Sequence, residues 1–230
     1  MLVFGIETSC DETAAAVVKD GKEVLSNIVS SQISVHSPFG GVVPELAARH
    51  HLEAIIPVME KALDEASISF DRIDLISVTQ GPGLIGALLV GISAAKALCY
   101  VTGIPLIGVD HLYGHIQSAF FAEEPVEFPL ILLVVSGGHT SLFYSEQIGS
   151  YRLLGNTRDD AAGEAFDKVA KMLGLGYPGG IIIDRLAGEG NPSAFHFPRA
   201  FLGKKTYDFS FSAVSYTHLR AHETRHDLVC

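Results

Sequence analysis

His111 and His115 stand four residues apart in the stretch Asp110-His-Leu-Tyr-Gly-His-Ile. On a helix that spacing puts both imidazoles on one face, where they can share a metal ion. With ten histidines in the chain, an ordinary structural pair gives the same spacing. The stretch is not a zinc-peptidase motif, because His-Glu-x-x-His needs its Glu as general base and Leu112 holds that place. A second chemical stretch is Ser136-Gly137-Gly138-His139-Thr140. Its glycines let backbone N–H groups approach a phosphate or carbonyl oxygen. No Gly-Lys-Thr follows, so it is not a Walker A loop. It opens a hairpin rather than a helix, so it is not a dinucleotide fingerprint. A third stretch, Thr8-Ser9-Cys10-Asp11-Glu12-Thr13, combines hydroxyls with carboxylates. Hydroxyls and turn N–H groups bind phosphate, and a carboxylate holds a metal or positions a nucleophile. Composition alone favours a solvated hairpin loop there.

Asp159 to Lys168 begins a helix whose paired acids, Asp159 and Asp160, suit its N-terminus and dipole. Asp167 lies further in, placed to face a ligand or to pair with Lys171. Tyr177-Pro178-Gly179-Gly180 is a turn before another helix, which carries Asp184. Its glycines suit the close approach of a ligand such as a ribose. Arg199, Lys204 and Lys205 form a basic cluster able to bind RNA phosphate, although three charges alone more often mark a solvated loop.

The strands and helices that carry these residues are legible in outline. Met1 to Glu7 is an apolar strand, and Ala14–Val18 with Glu23–Val29 forms a hairpin around Asp20-Gly21. Ile33 to Val43 is loop-like. Pro44 opens a helix whose apolar face reads Leu52, Ile55, Ile56, Met59, Leu63 and Ala66, and Pro57 should kink or split it. Leu75–Thr79 and Pro105–Val109 are strands around a helix over Ile85–Tyr100, and His111–Ala122 is a further helix. The opening pattern then recurs as strand Leu130–Val135, a polar turn, and a hairpin around Gly149. Helices follow over Ala161–Leu173 and Gly179–Ala187. Two copies of one strand–turn–hairpin pattern predict two related lobes facing each other across a cleft. The division expected is 1–122, then 128–213, then a tail over 214–230.

The chain has 230 residues, 48% hydrophobic and 18% charged, with a net charge of −10. That composition excludes intrinsic disorder, collagen and coiled coil. The apolar runs, such as Pro129 to Val135, read as too short to span a bilayer, and no signal peptide is expected at Met1. A cytoplasmic protein without a membrane partner is expected. Cys10, Cys99 and Cys230 show no paired spacing, so neither a disulfide framework nor a zinc knuckle is implied. An acidic chain does not hold nucleic acid through its overall field and needs a local basic patch or a partner. Ser215 to Thr224 looks like the translation of a sequencing adapter, which removes the histidine triple His218, His222 and His226 from consideration as a metal site.

Taken in order, these motifs resemble the bacterial tRNA adenosine threonylcarbamoyltransferase family. The matching segments are Gly5 to Thr13, Gly41-Val-Val-Pro-Glu-Leu-Ala47, Gly81-Pro-Gly-Leu84 and His111-Leu-Tyr-Gly-His115. They continue with Val135 to Thr140, Asp159 to Lys168, Tyr177-Pro-Gly-Gly180 and Asp208-Phe-Ser-Phe-Ser212. The resemblance implies an α/β fold of the actin, hexokinase and heat-shock chaperone type. Such a fold has two RNase H-like lobes around a cleft, with the second lobe incomplete here. It implies transfer of the threonylcarbamoyl group from threonylcarbamoyl-AMP to the exocyclic amine of the adenosine beside the tRNA anticodon, with AMP leaving. The family's metal ligands fall on His111 and His115, with iron or zinc as the metal. Its substrate-binding positions fall on Val134, Val135, Ser136, Gly137, Gly138, Asp167, Gly180 and Asp184. Asp11 and Glu12 are assigned a positioning or acid–base role. The implied partners are tRNA, a paralogous subunit and an ATPase subunit.

Two departures stand out. Ile181 occupies a position where the family usually has Pro. Family members also run on for roughly another hundred residues beyond Ser212, a length that fits two-lobed domains. That part holds a third metal ligand, an Asp, and a Gly-rich segment whose Asn contacts the nucleotide. The chain is therefore expected to be a fragment that binds metal weakly and lacks transferase activity. The competing readings are a non-catalytic paralogous scaffold subunit, a metallopeptidase, and a sugar or acetate kinase of the same fold. Retained histidines and the glycine turn argue against the scaffold, and the missing His-Glu-x-x-His argues against the peptidase.

Overall fold

A computed structural model of the chain describes residues 1–121, 126–195 and 206–212. The chain divides into two compact units, Met1–Glu123 and Glu124–Cys230.

In the first unit β1 (Leu2–Glu7), β2 (Glu12–Lys19) and β3 (Glu23–Ser31) form an antiparallel meander. The elements α1 (Ile33–His36), α2 (Pro44–Ala66), β4 (Leu75–Gly81), α3 (Ile85–Thr102), β5 (Leu106–Asp110) and α4 (His111–Ser118) follow. The five strands make one sheet in the order β3-β2-β1-β4-β5. β4 joins β1, and β5 joins β4, in parallel. A parallel pair needs a crossover, and α3 supplies it between β4 and β5. Period-two burial places Phe4 and Ile6 of β1 and Ala15 and Val17 of β2 in the core, against Ile55, Met59 and Ala62 of α2. Pro44 opens α2 where its missing N–H has no helical partner to lose. Ser67 closes it in the left-handed region, its N–H on the Leu63 and Asp64 carbonyls.

Several expectations are corrected here. α2 is not split at Pro57 and runs on as one helix to Ala66. Its buried stripe is Ala47, His51, Ile55, Val58, Met59, Ala62 and Leu63, while Leu52 and Ile56 face solvent. The segment read as a loop carries α1 and a short 3-10 turn over Ser37–Phe39. The last α-helix of this unit ends at Ser118 and passes into a 3-10 turn over Ala119–Phe121. By length and composition alone, α3 is long and apolar enough to cross a membrane, which corrects the reading that every apolar run is too short. One face of it, with Ala87, Leu88, Gly91 and Ala95, is buried in the unit. Thr8 of the first turn lies against Gly91.

In the second unit β6 (Leu130–Val135), β7 (Thr140–Gln147) and β8 (Ser150–Asn156) repeat the antiparallel meander as a sheet in the order β6-β7-β8. α5 (Ala162–Met172) and α6 (Gly179–Ala187) follow. Residues 206–212 return to the end of β8. The Phe209 N–H donates to the Asn156 carbonyl at 3.0 Å, and the Arg158 N–H to the Phe209 carbonyl at 3.0 Å. The basic cluster Arg199, Lys204 and Lys205 and the tail over 214–230 lie outside the described residues.

Candidate functional site

In the first unit, β5 ends at Asp110, and α4 begins at once. The Asp110 carboxylate caps it, accepting from the N–H groups of Leu112 at 2.8 Å and Tyr113 at 3.2 Å. This cap places His111 at the first position of the helix and His115 one turn on. Their Nε2 atoms lie 3.1 Å apart, with the rings edge to face. Two nitrogens bound tetrahedrally to one zinc, each ~2.0–2.1 Å from it, lie about 3.4 Å apart. The pair therefore fits a shared metal, and two imidazoles suit iron or zinc. Partial burial first, then the neighbouring His111 ring, hold the His115 imidazole below its ordinary value, which favours the neutral ligand form. Among the described residues no third His, Cys, Asp or Glu completes a metal-holding group.

Behind this pair stands Glu7, the last residue of β1. Its Oε2 lies 3.1 Å from His111 Nδ1 and accepts from Thr79 Oγ1 at 2.6 Å. Its Oε1 accepts from the Ser9 N–H. Burial alone would raise the Glu7 carboxyl, but hydrogen bonds from His111, Ser9 and Thr79 outweigh it and bring it down to about 2. Ser9 Oγ also lies 3.1 Å from His111 Nδ1. Sequence reasoning passed over Glu7 and Thr79. The available signal was a lone acid closing an apolar strand.

The first turn is not the solvated loop its composition suggests. Thr8, Ser9 and Thr13 are buried. Thr8 Oγ1 donates to the Ala87 carbonyl at 2.9 Å. His51 Nε2 lies 3.0 Å from the Cys10 carbonyl, which only accepts, so Nε2 carries the proton. His51 Nδ1 then accepts from the Thr13 hydroxyl at 2.8 Å. Gly83 packs so closely on the turn that a Cβ would stand 2.5 Å from the Ser9 carbonyl oxygen. Asp11 is half-buried, its carbonyl accepting from Gln32 N–H at 3.0 Å, and Glu12 is exposed at the head of β2. The carboxylate that reaches His111 is Glu7 rather than either of these.

In the second unit, Val134 and Val135 point to opposite faces of β6, the first buried and the second exposed. Ser136 to His139 close the hairpin. The Ser136 N–H donates to the His139 carbonyl at 2.8 Å, and Ser136 Oγ accepts from the His139 N–H at 3.0 Å. A Cβ on Gly137 or Gly138 would meet nothing within 4 Å, so this backbone is open to a ligand. Gly163 of α5 is the opposite case, since a Cβ there would lie 2.6 Å from the Ser136 carbonyl oxygen and 2.8 Å from Gly137 Cα.

Asp159 and Asp160 do not cap α5. Ala161 is its N-cap without a side-chain bond, and the Ala162 N–H donates to Thr140 Oγ1 at 2.9 Å. Asp159 instead holds residues 210–212, accepting from the Ser210 hydroxyl, the Phe211 N–H at 2.8 Å and the Ser212 N–H at 3.3 Å. Asp160 pairs with Lys168 at 2.6 Å. Asp167 does not pair with Lys171. Its Oδ1 accepts from the Gly179 N–H at 2.7 Å and ties α5 to the start of α6. Burial raises the Asp167 carboxyl, Gly179 lowers it, and the net direction is up. Gly180 is half-buried, and Asp184 lies one turn on along the same face of α6, exposed.

Comparison with known proteins gives these arrangements a context. The family model for tRNA N6-adenosine threonylcarbamoyltransferase matches residues 23–228. A curated protein of that name from Syntrophobacter fumaroxidans is 58% identical over 214 residues, covering 93% of this chain and 63% of the relative. One from Geobacter sp. strain M21 is 60% identical over 226 residues, covering 98% of this chain and 66% of the relative. The chain thus spans a little under two thirds of the length of these relatives. Among solved structures, (R)-2-hydroxyglutaryl-CoA dehydratase component A from Acidaminococcus fermentans covers 97% of this chain and 69% of its own. It matches with a TM-score of 0.51 at 12% identity. That likeness concerns the fold alone, which is of the actin and hexokinase type.

Proposed function

The chain belongs to the tRNA N6-adenosine threonylcarbamoyltransferase family, and we propose that it is a large part of such an enzyme. The observation that carries this reading is the family match over residues 23–228. The substrates are threonylcarbamoyl-AMP and a tRNA adenosine. The adenosine amine attacks the carbamoyl carbon, the bond from that carbon to the phosphate oxygen breaks, and AMP leaves with the electron pair. The amine proton passes to a base, and the exposed Glu12 with the neighbouring Asp11 are the carboxylates assigned to receive it or to position the amine. His111 and His115 would hold the metal, iron or zinc. When bound there, the metal supplies a Lewis acid that offsets phosphate charge or polarises a carbonyl. The backbone N–H groups of Gly137 and Gly138, where a Cβ would meet nothing within 4 Å, would donate to adenylate oxygens, with Ser136, Val134 and Val135 fixing the hairpin that presents them. Asp167 holds α6 through one oxygen and offers the other to a ribose hydroxyl, beside Gly180 and Asp184.

With a net charge of −10, tRNA capture falls to a local basic patch and to partners. A paralogous subunit and an ATPase subunit are the partners we assign, in the cytoplasm, where tRNA is modified. The experiment is calorimetric titration of this chain with threonylcarbamoyl-AMP. Binding that Gly138→Val abolishes without loss of fold is the expected result. Binding that Gly138→Val leaves unchanged, or phosphate release from ATP with a sugar or acetate, overturns the reading. Because two metal ligands rather than three are present among the described residues, the chain alone is expected to leave tRNA unmodified. Nucleoside mass spectrometry of tRNA after incubation checks this.

A further inference from the structure

We propose that Glu7 is a positioning residue for the metal. Its carboxylate holds the His111 ring in the Nδ1–H tautomer and so aims the Nε2 lone pair at the point shared with His115. The inference rests on the metal reading above. A carboxylate only accepts hydrogen bonds, and an imidazole nitrogen facing it must bring a proton. Glu7 Oε2 faces His111 Nδ1 at 3.1 Å. Nδ1 therefore carries the hydrogen, and Nε2 is left unprotonated, as a ligand nitrogen must be. Nε2 is also the atom that stands 3.1 Å from His115 Nε2.

Glu7 is itself held on both oxygens. The Ser9 N–H donates to Oε1, and the Thr79 hydroxyl donates to Oε2 at 2.6 Å. Glu7 ends β1 and Thr79 lies near the end of β4, and these strands are paired in parallel through Ile6 and Val78. The carboxylate is thus fixed by the sheet, while the histidine it orients comes from a helix 104 residues away in sequence. A carboxylate behind a ligating histidine fixes the ring and raises its basicity, and losing it costs about 10–100-fold in metal affinity. Glutamine is a poor substitute in this setting. Three donors converge on two carboxylate oxygens, so a side-chain amide would turn its own N–H toward one of them.

The test uses the full 230-residue chain. Long-range 1H–15N spectra of the 15N-histidine-labelled protein without metal, at about pH 8, report the His111 tautomer. His111→Asn supplies the assignment. Protonation on Nδ1 is expected, and protonation on Nε2 in the unsubstituted protein overturns the proposal without need of any Glu7 variant. Zinc affinity is then measured by calorimetry with Zn2+ alone. Glu7→Gln should weaken it about 10–100-fold, and Thr79→Val should weaken it less. If His111→Ala abolishes zinc binding but Glu7→Gln leaves it unchanged, the Glu7 assignment fails and the metal reading stands. If His111→Ala changes nothing, the metal reading fails and takes the assignment with it.

Discussion

His51 has a defined job for each ring nitrogen, with Nε2–H on the Cys10 carbonyl and Nδ1 accepting from Thr13. The bond from Thr13 requires the neutral ring, because a protonated Nδ1 has no lone pair to accept with. Burial is the largest influence and holds the imidazole below its ordinary value of 6.5. The Cys10 bond, Glu7 and Asp11 pull the other way, and His36 reinforces burial. The unfolded chain therefore takes up a proton at His51 before the folded chain does. Stability contributed by this residue is complete above pH 6.5, begins to fall there, and is lost as pH drops through the lower value of the folded state. We expect urea unfolding to show stability falling between pH 7.5 and pH 5, with a shallower fall in His51→Gln. The difference in slope is bounded by one proton, or about 1.4 kcal/mol per pH unit. Gly163 offers a second residue-scale prediction. A Cβ there would meet backbone atoms of Ser136 and Gly137, which cannot move aside as a side chain end can. Gly163→Ala should destabilise the second unit by about 1–3 kcal/mol, measured by chemical denaturation. His51 was visible in the sequence only as one more residue on an amphipathic helix. Its role depends on Cys10 and Thr13, which the chain brings to it from a different strand–turn segment.

At the scale of elements, α2 and the 206–212 segment are informative. Proline inside a helix removes a backbone donor and crowds the preceding turn. The exposed Pro57 should therefore be replaceable with profit, and Pro57→Ala is expected to raise stability by about 1–3 kcal/mol. A lower melting temperature in that variant would contradict the argument. The 206–212 segment is held by Asp159 through the Ser210 hydroxyl and two backbone N–H groups. Burial raises the Asp159 carboxyl, but these bonds outweigh it and lower it below 3.8. Asp159→Ala should accelerate hydrogen exchange at the Phe211 and Ser212 amides while leaving the β7 amides protected. Unchanged exchange at those two amides would show that β8 alone holds the segment. Periodicity and turn chemistry announced the strands, hairpins and most helices correctly. They misplaced the capping role of Asp159, because an acid at a helix start has the same local signature whether it bonds that helix or a distant segment.

At the scale of the molecule, the β1–β3 meander recurs as β6–β8. In the first unit β1 has a neighbour on each side, β2 and β4. Among the described residues β6 has only β7 beside it, and its Ile131, Leu133 and Val135 are each more than half exposed. An apolar strand edge favours pairing with other chains. The chain should therefore self-associate with rising concentration, and Leu133→Lys should reduce light scattering by the same sample. Equal scattering from the two proteins would remove β6 from the explanation.

Residue types and their spacing along the chain are enough to set the local elements, the order of the motifs and hence the family. Each depends on residue types within a few positions of one another, and short-range periodicity and turn preference are readable without a fold. The same spacing also places His111 and His115 on one helical face. The groups that stand behind them are brought there by packing alone. Glu7 meets His111 across 104 residues, Thr79 meets Glu7 across 72, and the hydroxyls of the first turn are buried rather than solvated. Burial and long-range partners arise when strands β1 and β4 are laid side by side with α4 at their end. No window along the chain contains that arrangement.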